Sequence, residues 1–81
     1  IDQNSKNKLI KYIEEFNNNS LFNLKVTSIE KKDGLKIILE EGSWILLRLS
    51  GTEPVARIYC ESKNENSVKE LISKFTSNIK I

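Results

Sequence analysis

The chain holds no histidine, no methionine and one cysteine among its 81 residues. Those shortages remove whole classes of chemistry. Without histidine the commonest side-chain base and zinc ligand is missing, and Cys60 alone can form neither an intramolecular disulfide nor a cysteine-based zinc cluster. With no base or second ligand beside it, Cys60 reads as a small core residue, and a lone thiol suits a reducing cytoplasm. No apolar run approaches the roughly 20 residues of a membrane span, and no signal peptide is visible, so no membrane partner is expected. Neither sign of charge dominates, since 13 Lys and Arg against 11 Asp and Glu leave +2. Lys6, Lys8, Lys11, Lys31, Lys32, Lys63, Lys69 and Lys74 are scattered and read as solvated surface. Nucleic acid calls for a concentrated basic face, so none is expected as a partner. A chain that opens on Ile1 and lacks methionine is expected to be a processed product or a piece of something longer.

What remains fits one small domain spanning residues 1–81. A chain of this size buries roughly 60% of its unfolded surface, enough for one two-layer core. Leu9, Ile13 and Phe16, with Ile10 beside them, form one face of a helix running to about Asn18, with Asp2, Asn4 and Ser5 as candidate N-caps. The run Asn17-Asn18-Asn19-Ser20 stops it and opens a loop. Val26 to Ile29, Leu35 to Glu40 and Trp44 to Leu49 then read as three strands. Asp33-Gly34 predicts a type I′ hairpin turn, and Glu41-Gly42-Ser43 a second turn. A fourth strand covers Val55 to Ser62. Val68, Leu71, Ile72, Phe75 and Ile79 form a last helical stripe, with Ser67 and Glu70 as a capping box at its start. The fold class is α+β: a two-layer, four-stranded, mostly antiparallel sheet with two helices on one face, in the order α-β-β-β-β-α. Alternation buries Ile45, Leu47, Leu49, Ile58 and Cys60 under the helices and leaves Arg48 and Arg57 together on the uncovered face.

The stretch Arg48 to Glu61, RLSGTEPVARIYCE, carries the chemistry. Two arginines bracket a turn containing Ser50, Gly51, Thr52 and Pro54. A phosphate dianion needs donors converging from several directions. Arginine supplies a planar fork matching two oxygens, hydroxyls supply single bonds, and glycine lets backbone N–H groups approach closely. A phosphate-holding loop is the functional reading, against a plain strand connection in which these residues only make a turn. Trp44 and Tyr59 have flat faces suited to stacking on a sugar, but packing on the sheet is the reading adopted for both.

The pattern R-x-S-G-T-E-P-x-x-R-x-Y-x-E resembles the signature of the last domain of the α-D-phosphohexomutases, a family of phosphoglucomutases, phosphomannomutases and phosphoglucosamine mutases. The match covers the loop and both flanking strands, and the helices and hairpins agree in order and length with that domain, whose fold is TATA-box-binding-protein-like. The resemblance implies that Arg48, Ser50, Gly51 and Thr52 contact the substrate's phosphate, with Arg57 supporting from the far side. Glu53 and Pro54 match the pattern but are expected to shape the loop, since Glu53 has the wrong charge to meet a phosphate. Ala56-Arg57-Ile58-Tyr59 is more similar to the glucomutase and mannomutase branch. Glu40-Glu41-Gly42-Ser43 is similar to the family's G-E-x-S-G sugar-reading loop, but it sits at a hairpin and is read as a turn.

The resemblance further implies an enzyme that interconverts hexose 1-phosphate and hexose 6-phosphate through a bisphosphorylated sugar. A phosphoserine of the first domain and Mg²⁺ held by aspartates of the second would do the transfer. This sequence has neither a serine in such a context nor a D-x-D-x-D cluster, so no catalytic residue and no cofactor is expected within it. Its expected partners are a phosphosugar and the other domains of the same enzyme. The rival is a free-standing module binding RNA or another anion through the same loop. A reading frame extending several hundred residues upstream would separate the two.

Overall fold

The computed structural model describes residues 2–53 and 55–79. Its elements run α1 (Gln3–Glu15), β1 (Ser20–Leu21), β2 (Leu24–Glu30), β3 (Leu35–Leu39), β4 (Trp44–Leu49), β5 (Ala56–Glu61) and α2 (Glu65–Ile79). All strand pairings are antiparallel and the order in the sheet is β1-β2-β3-β4-β5. The sheet thus has five strands where four were expected. The extra one is the two-residue β1, inside the segment read as a loop. It turns back onto β2 through Phe22 and Asn23, both at positive φ, the backbone that a two-residue hairpin of type I′ requires. The backbone N–H of Val26 then donates to the Asn19 carbonyl at 2.8 Å, prolonging the pairing.

Of the three candidate caps for α1, Asp2 serves: its carboxylate accepts from the Ser5 N–H at 2.7 Å. That bond, then one from the Ser5 hydroxyl, holds the Asp2 carboxyl below its usual value of 3.8. The helix ends before the asparagine run, because Phe16 turns to extended backbone while still donating to the Tyr12 carbonyl. That exit lets the Phe16 ring drop into the core beside Tyr12. The other helix begins earlier than expected. Asn64 caps it by accepting from the Ser67 N–H at 2.9 Å, so Ser67 and Glu70 already lie inside α2 and form no capping box. Glu70 instead pairs with Lys74 at 2.8 Å, one turn on.

The two glycine turns of the sheet also differ from each other. Gly34 has positive φ and Asp33 does not, so Asp33-Gly34 is not a type I′ turn but the end of a four-residue connection, Lys31 to Gly34. Lys31 reaches back to the Glu14 carbonyl at 2.8 Å, favourable for a cation at a helix C-terminus. A Cβ at Gly34 would strike the Leu47 carbonyl oxygen, so close approach to β4 demands glycine as much as φ does. Glu41-Gly42-Ser43 forms the expected turn, with the Gly42 N–H on the Leu39 carbonyl and the Leu39 N–H on the Ser43 carbonyl.

Both helices cover one face. Leu9 and Phe16 of the α1 segment, Leu71 and Phe75 of α2, and Leu35, Ile37, Leu39, Ile45 and Leu47 of the sheet belong to one buried cluster. Leu49, Ile58 and Cys60 are half-buried against it, and that burial pushes the Cys60 thiol up from its ordinary value. The opposite face of β4 and β5 is left without a covering layer, and that is where the arginines stand.

Candidate functional site

Alternation in β4 and β5 decides which side chains meet. Ile45 and Leu47 point into the core, so Trp44, Leu46 and Arg48 point outward; Arg57, Tyr59 and Glu61 do the same on β5. The register aligns them in cross-strand pairs: Arg48 opposite Arg57, Leu46 opposite Tyr59, and Trp44 opposite Glu61. Directly opposed residues have Cβ atoms about 5 Å apart, and two like charges so placed repel. Among the described residues neither guanidinium ion-pairs with a carboxylate. Glu61 is the nearest acid along β5, but its carboxylate accepts the Trp44 indole N–H at 2.7 Å. It also lies four residues from Arg57, about 13 Å along a strand. The pair therefore presents ten N–H donors and two positive charges with no carboxylate counterion among the described residues.

The loop after β4 is held by its own serine. The Ser50 N–H donates to the Val55 carbonyl at 3.2 Å, closing the loop's mouth. The Ser50 hydroxyl oxygen accepts from the Thr52 N–H at 3.3 Å and the Glu53 N–H at 3.0 Å. Those two amides, which a backbone cradle for an anion would use, are already engaged. What Ser50 retains is its own hydroxyl hydrogen, made a better donor by the bonds its oxygen accepts. Gly51 does not have positive φ, and a Cβ added there would meet nothing within 4 Å. Among the described residues nothing requires glycine at this position. Its bare backbone leaves room for something outside the chain.

Arg48, Ser50, Gly51 and Arg57 line one concavity of about 230 Å³, together with Leu49 and Tyr59. Four of the five expected phosphate contacts are thus brought together. Thr52 is exposed in the same loop but outside that lining. Pro54, expected to shape the loop, lies outside the described residues. Tyr59, expected to pack on the sheet, is 42% exposed and borders the arginines. The period-two alternation that joins it to Arg57 was the signal for this. Trp44 does pack: the Lys36 ammonium sits 4.6 Å from its ring centre. Among the described residues no group of His, Cys, Asp and Glu could hold a metal ion, and no helix is long and apolar enough to cross a membrane.

Residues 4–77 match the family described as phosphoglucomutase/phosphomannomutase, C-terminal domain. A phosphoglucosamine mutase of Methanocaldococcus jannaschii is 42% identical over 73 residues, 90% of this chain and 15% of that protein. A probable phosphoglucosamine mutase of Methanosphaera stadtmanae is 39% identical over 86 residues, covering 95% of this chain and 18% of that protein. A phosphoglucomutase/phosphomannomutase of Thermococcus kodakarensis is 48% identical over 44 residues, 54% of this chain and 9% of that protein. The chain spans less than a fifth of the length of each of these relatives. Relatives of both branches match, so the likeness of Ala56 to Tyr59 to the glucomutase and mannomutase branch does not separate them.

Proposed function

This chain belongs to the phosphoglucomutase/phosphomannomutase family as its C-terminal domain, and we propose that it holds the non-reacting phosphate of a phosphosugar in a phosphohexomutase. The observation that carries this is the Arg48–Arg57 pair, opposed in register and without a carboxylate partner among the described residues. Two arginines at directly opposed positions of neighbouring strands suit a dianion that bridges them, each fork taking phosphate oxygens. Well-formed charge-assisted hydrogen bonds contribute about 1.5–3 kcal/mol each. Ser50 adds its hydroxyl hydrogen, Gly51 leaves space for the ligand against the backbone, and Thr52 reaches in from the loop when the site is filled.

On this reading the parent enzyme interconverts hexose 1-phosphate and hexose 6-phosphate through a bisphosphorylated intermediate. Fixing one phosphate aims the other end of the sugar at the reacting serine of another domain, which converts a chance encounter into an oriented one. A last domain closing over the cleft would also exclude water from the phosphoenzyme. Magnesium belongs to another domain on this reading. The described residues here do not fit a magnesium site, and none of the roles given to them runs through a metal. The rival reading, a free-standing module for RNA or another anion, has no observation in its favour that the family match does not explain better.

The test is kinetic, in the full-length protein. Turnover of glucose 1-phosphate, mannose 1-phosphate or glucosamine 1-phosphate is expected with Mg²⁺, and Arg48→Ala should raise KM and lower kcat/KM by at least tenfold. Unchanged kcat/KM in that variant would remove the arginine pair from substrate binding.

A further inference from the structure

The concavity beside the arginines has one wall that phosphate alone does not need. Tyr59 follows Arg57 by two residues on the same face of β5 and lies diagonally across from Arg48, about 7 Å along the strand from the anion position. Of the aromatic side chains among the described residues, it alone has nothing of its own to do. Tyr12 packs on Phe16 and Phe75 and accepts at its hydroxyl from Asn78. Phe22 packs against the core cluster. Trp44 has a cation over its ring and its N–H on Glu61. Tyr59 has 42% of its surface in solvent, and its hydroxyl has no hydrogen-bond partner among the described residues. A large ring 42% exposed next to two arginines that have no carboxylate partner among the described residues, with Leu46 opposite it in register, is poorly explained by packing.

We propose that Tyr59 is the platform on which the sugar ring of the phosphosugar rests, so that the site recognises a cyclic sugar phosphate rather than phosphate monoesters in general. This rests on the reading of Arg48 and Arg57 as the phosphate holders. A ring anchored by its phosphate on that pair extends over the neighbouring cross-strand position, where Leu46 and Tyr59 form an apolar floor. The weakly polar C–H face of a sugar suits the electron-rich face of the phenol, and the free hydroxyl at its rim can exchange a hydrogen bond with a sugar hydroxyl. The ring contact carries the affinity, and the hydroxyl tunes orientation.

The test compares two monoesters of the same charge in an NMR titration of the 81-residue chain, glucose 6-phosphate with its ring and glycerol 3-phosphate without one. Glucose 6-phosphate should bind about three- to tenfold more tightly than glycerol 3-phosphate. Tyr59→Ala should bring that ratio close to one, and Tyr59→Phe should keep most of it; the amide spectrum of each variant reports that it is folded. A wild-type ratio near one, or a ratio that survives Tyr59→Ala, overturns the platform while leaving the phosphate site intact. Absence of shifts around Arg48, Ser50 and Arg57 with either ester overturns both readings together.

Discussion

Gly34 and Gly51 are the same residue in two different roles, and substitution separates them. At Gly34 an added methyl would collide with the Leu47 carbonyl oxygen and crowd the Arg48 Cα, on a backbone already at φ +126°. Gly34→Ala should therefore lower the urea midpoint strongly, through overpacking and strain that each cost about 1–3 kcal/mol. At Gly51 the same methyl meets nothing within 4 Å among the described residues. Gly51→Ala should leave the midpoint within error and weaken phosphosugar binding, because the space it fills is the ligand's. Equal stability losses at the two positions would mean that Gly51 serves the loop rather than the ligand. Both glycines were visible as turn residues in the sequence. The difference between them was not, because it depends on how closely β4 passes behind Gly34, and a one-dimensional pattern carries no such distance.

Among the elements, the caps and the sheet core answer to separate measurements. Asn64→Ala removes the acceptor for the Ser67 N–H and should cost about 1 kcal/mol, while Ser67→Ala should cost little, since the expected capping box is not there. At the other helix, the Asp2 carboxyl is held below its usual value by the Ser5 N–H and hydroxyl. A folded-state value below the unfolded one contributes stability above the unfolded value and loses it as pH falls through the folded one. Slowed hydrogen exchange at the Ser5 amide should thus be present at neutral pH and fade well below pH 3.8; Asp2→Ala should erase that dependence. In the sheet, Leu47→Ala should cost about 2–5 kcal/mol, for Leu47 is fully buried between β4's neighbours and the helices. The strand faces were legible because β5 alternates between half-buried and exposed residues and Arg48 marks the outer face of β4, whose Trp44 and Leu46 are apolar on that same face. β1 was not, because two residues carry no period and Phe22 is a poor advertisement for positive φ. The cap of α2 was missed for a related reason: Asn64 sits a full turn before the first apolar residue of the stripe, in a stretch that reads as loop.

For the molecule as a whole, the proposed function divides labour between this domain and the remainder of a full-length mutase. The 81-residue chain, purified free of full-length protein, should show no mutase activity on glucose 1-phosphate or mannose 1-phosphate with or without Mg²⁺, because it supplies positioning and not the nucleophile. Turnover above a buffer blank would overturn that division. Alone, the loop is open to water on one side, so affinity for a phosphosugar should be around millimolar, roughly −4 kcal/mol. On the proposed reading, the other domains of a full-length mutase would raise the local concentration of the phosphate, and the same contacts would count for more. The arginine pair and the loop were both legible from the motif. Their convergence needed the register, which sets Arg48 against Arg57, and the engagement of the Thr52 and Glu53 amides by Ser50 needed the folded loop. The most direct measurement is an NMR titration of the chain with glucose 1,6-bisphosphate. The amides of Ser50, Gly51, Thr52 and Glu53 should move first, those of Thr52 and Glu53 because they report on the Ser50 hydroxyl. Arg48→Ala should abolish the shifts, and Arg48→Lys should weaken them, since a point charge replaces a fork. Largest shifts on the helices or at the Asp33-Gly34 turn would contradict the account.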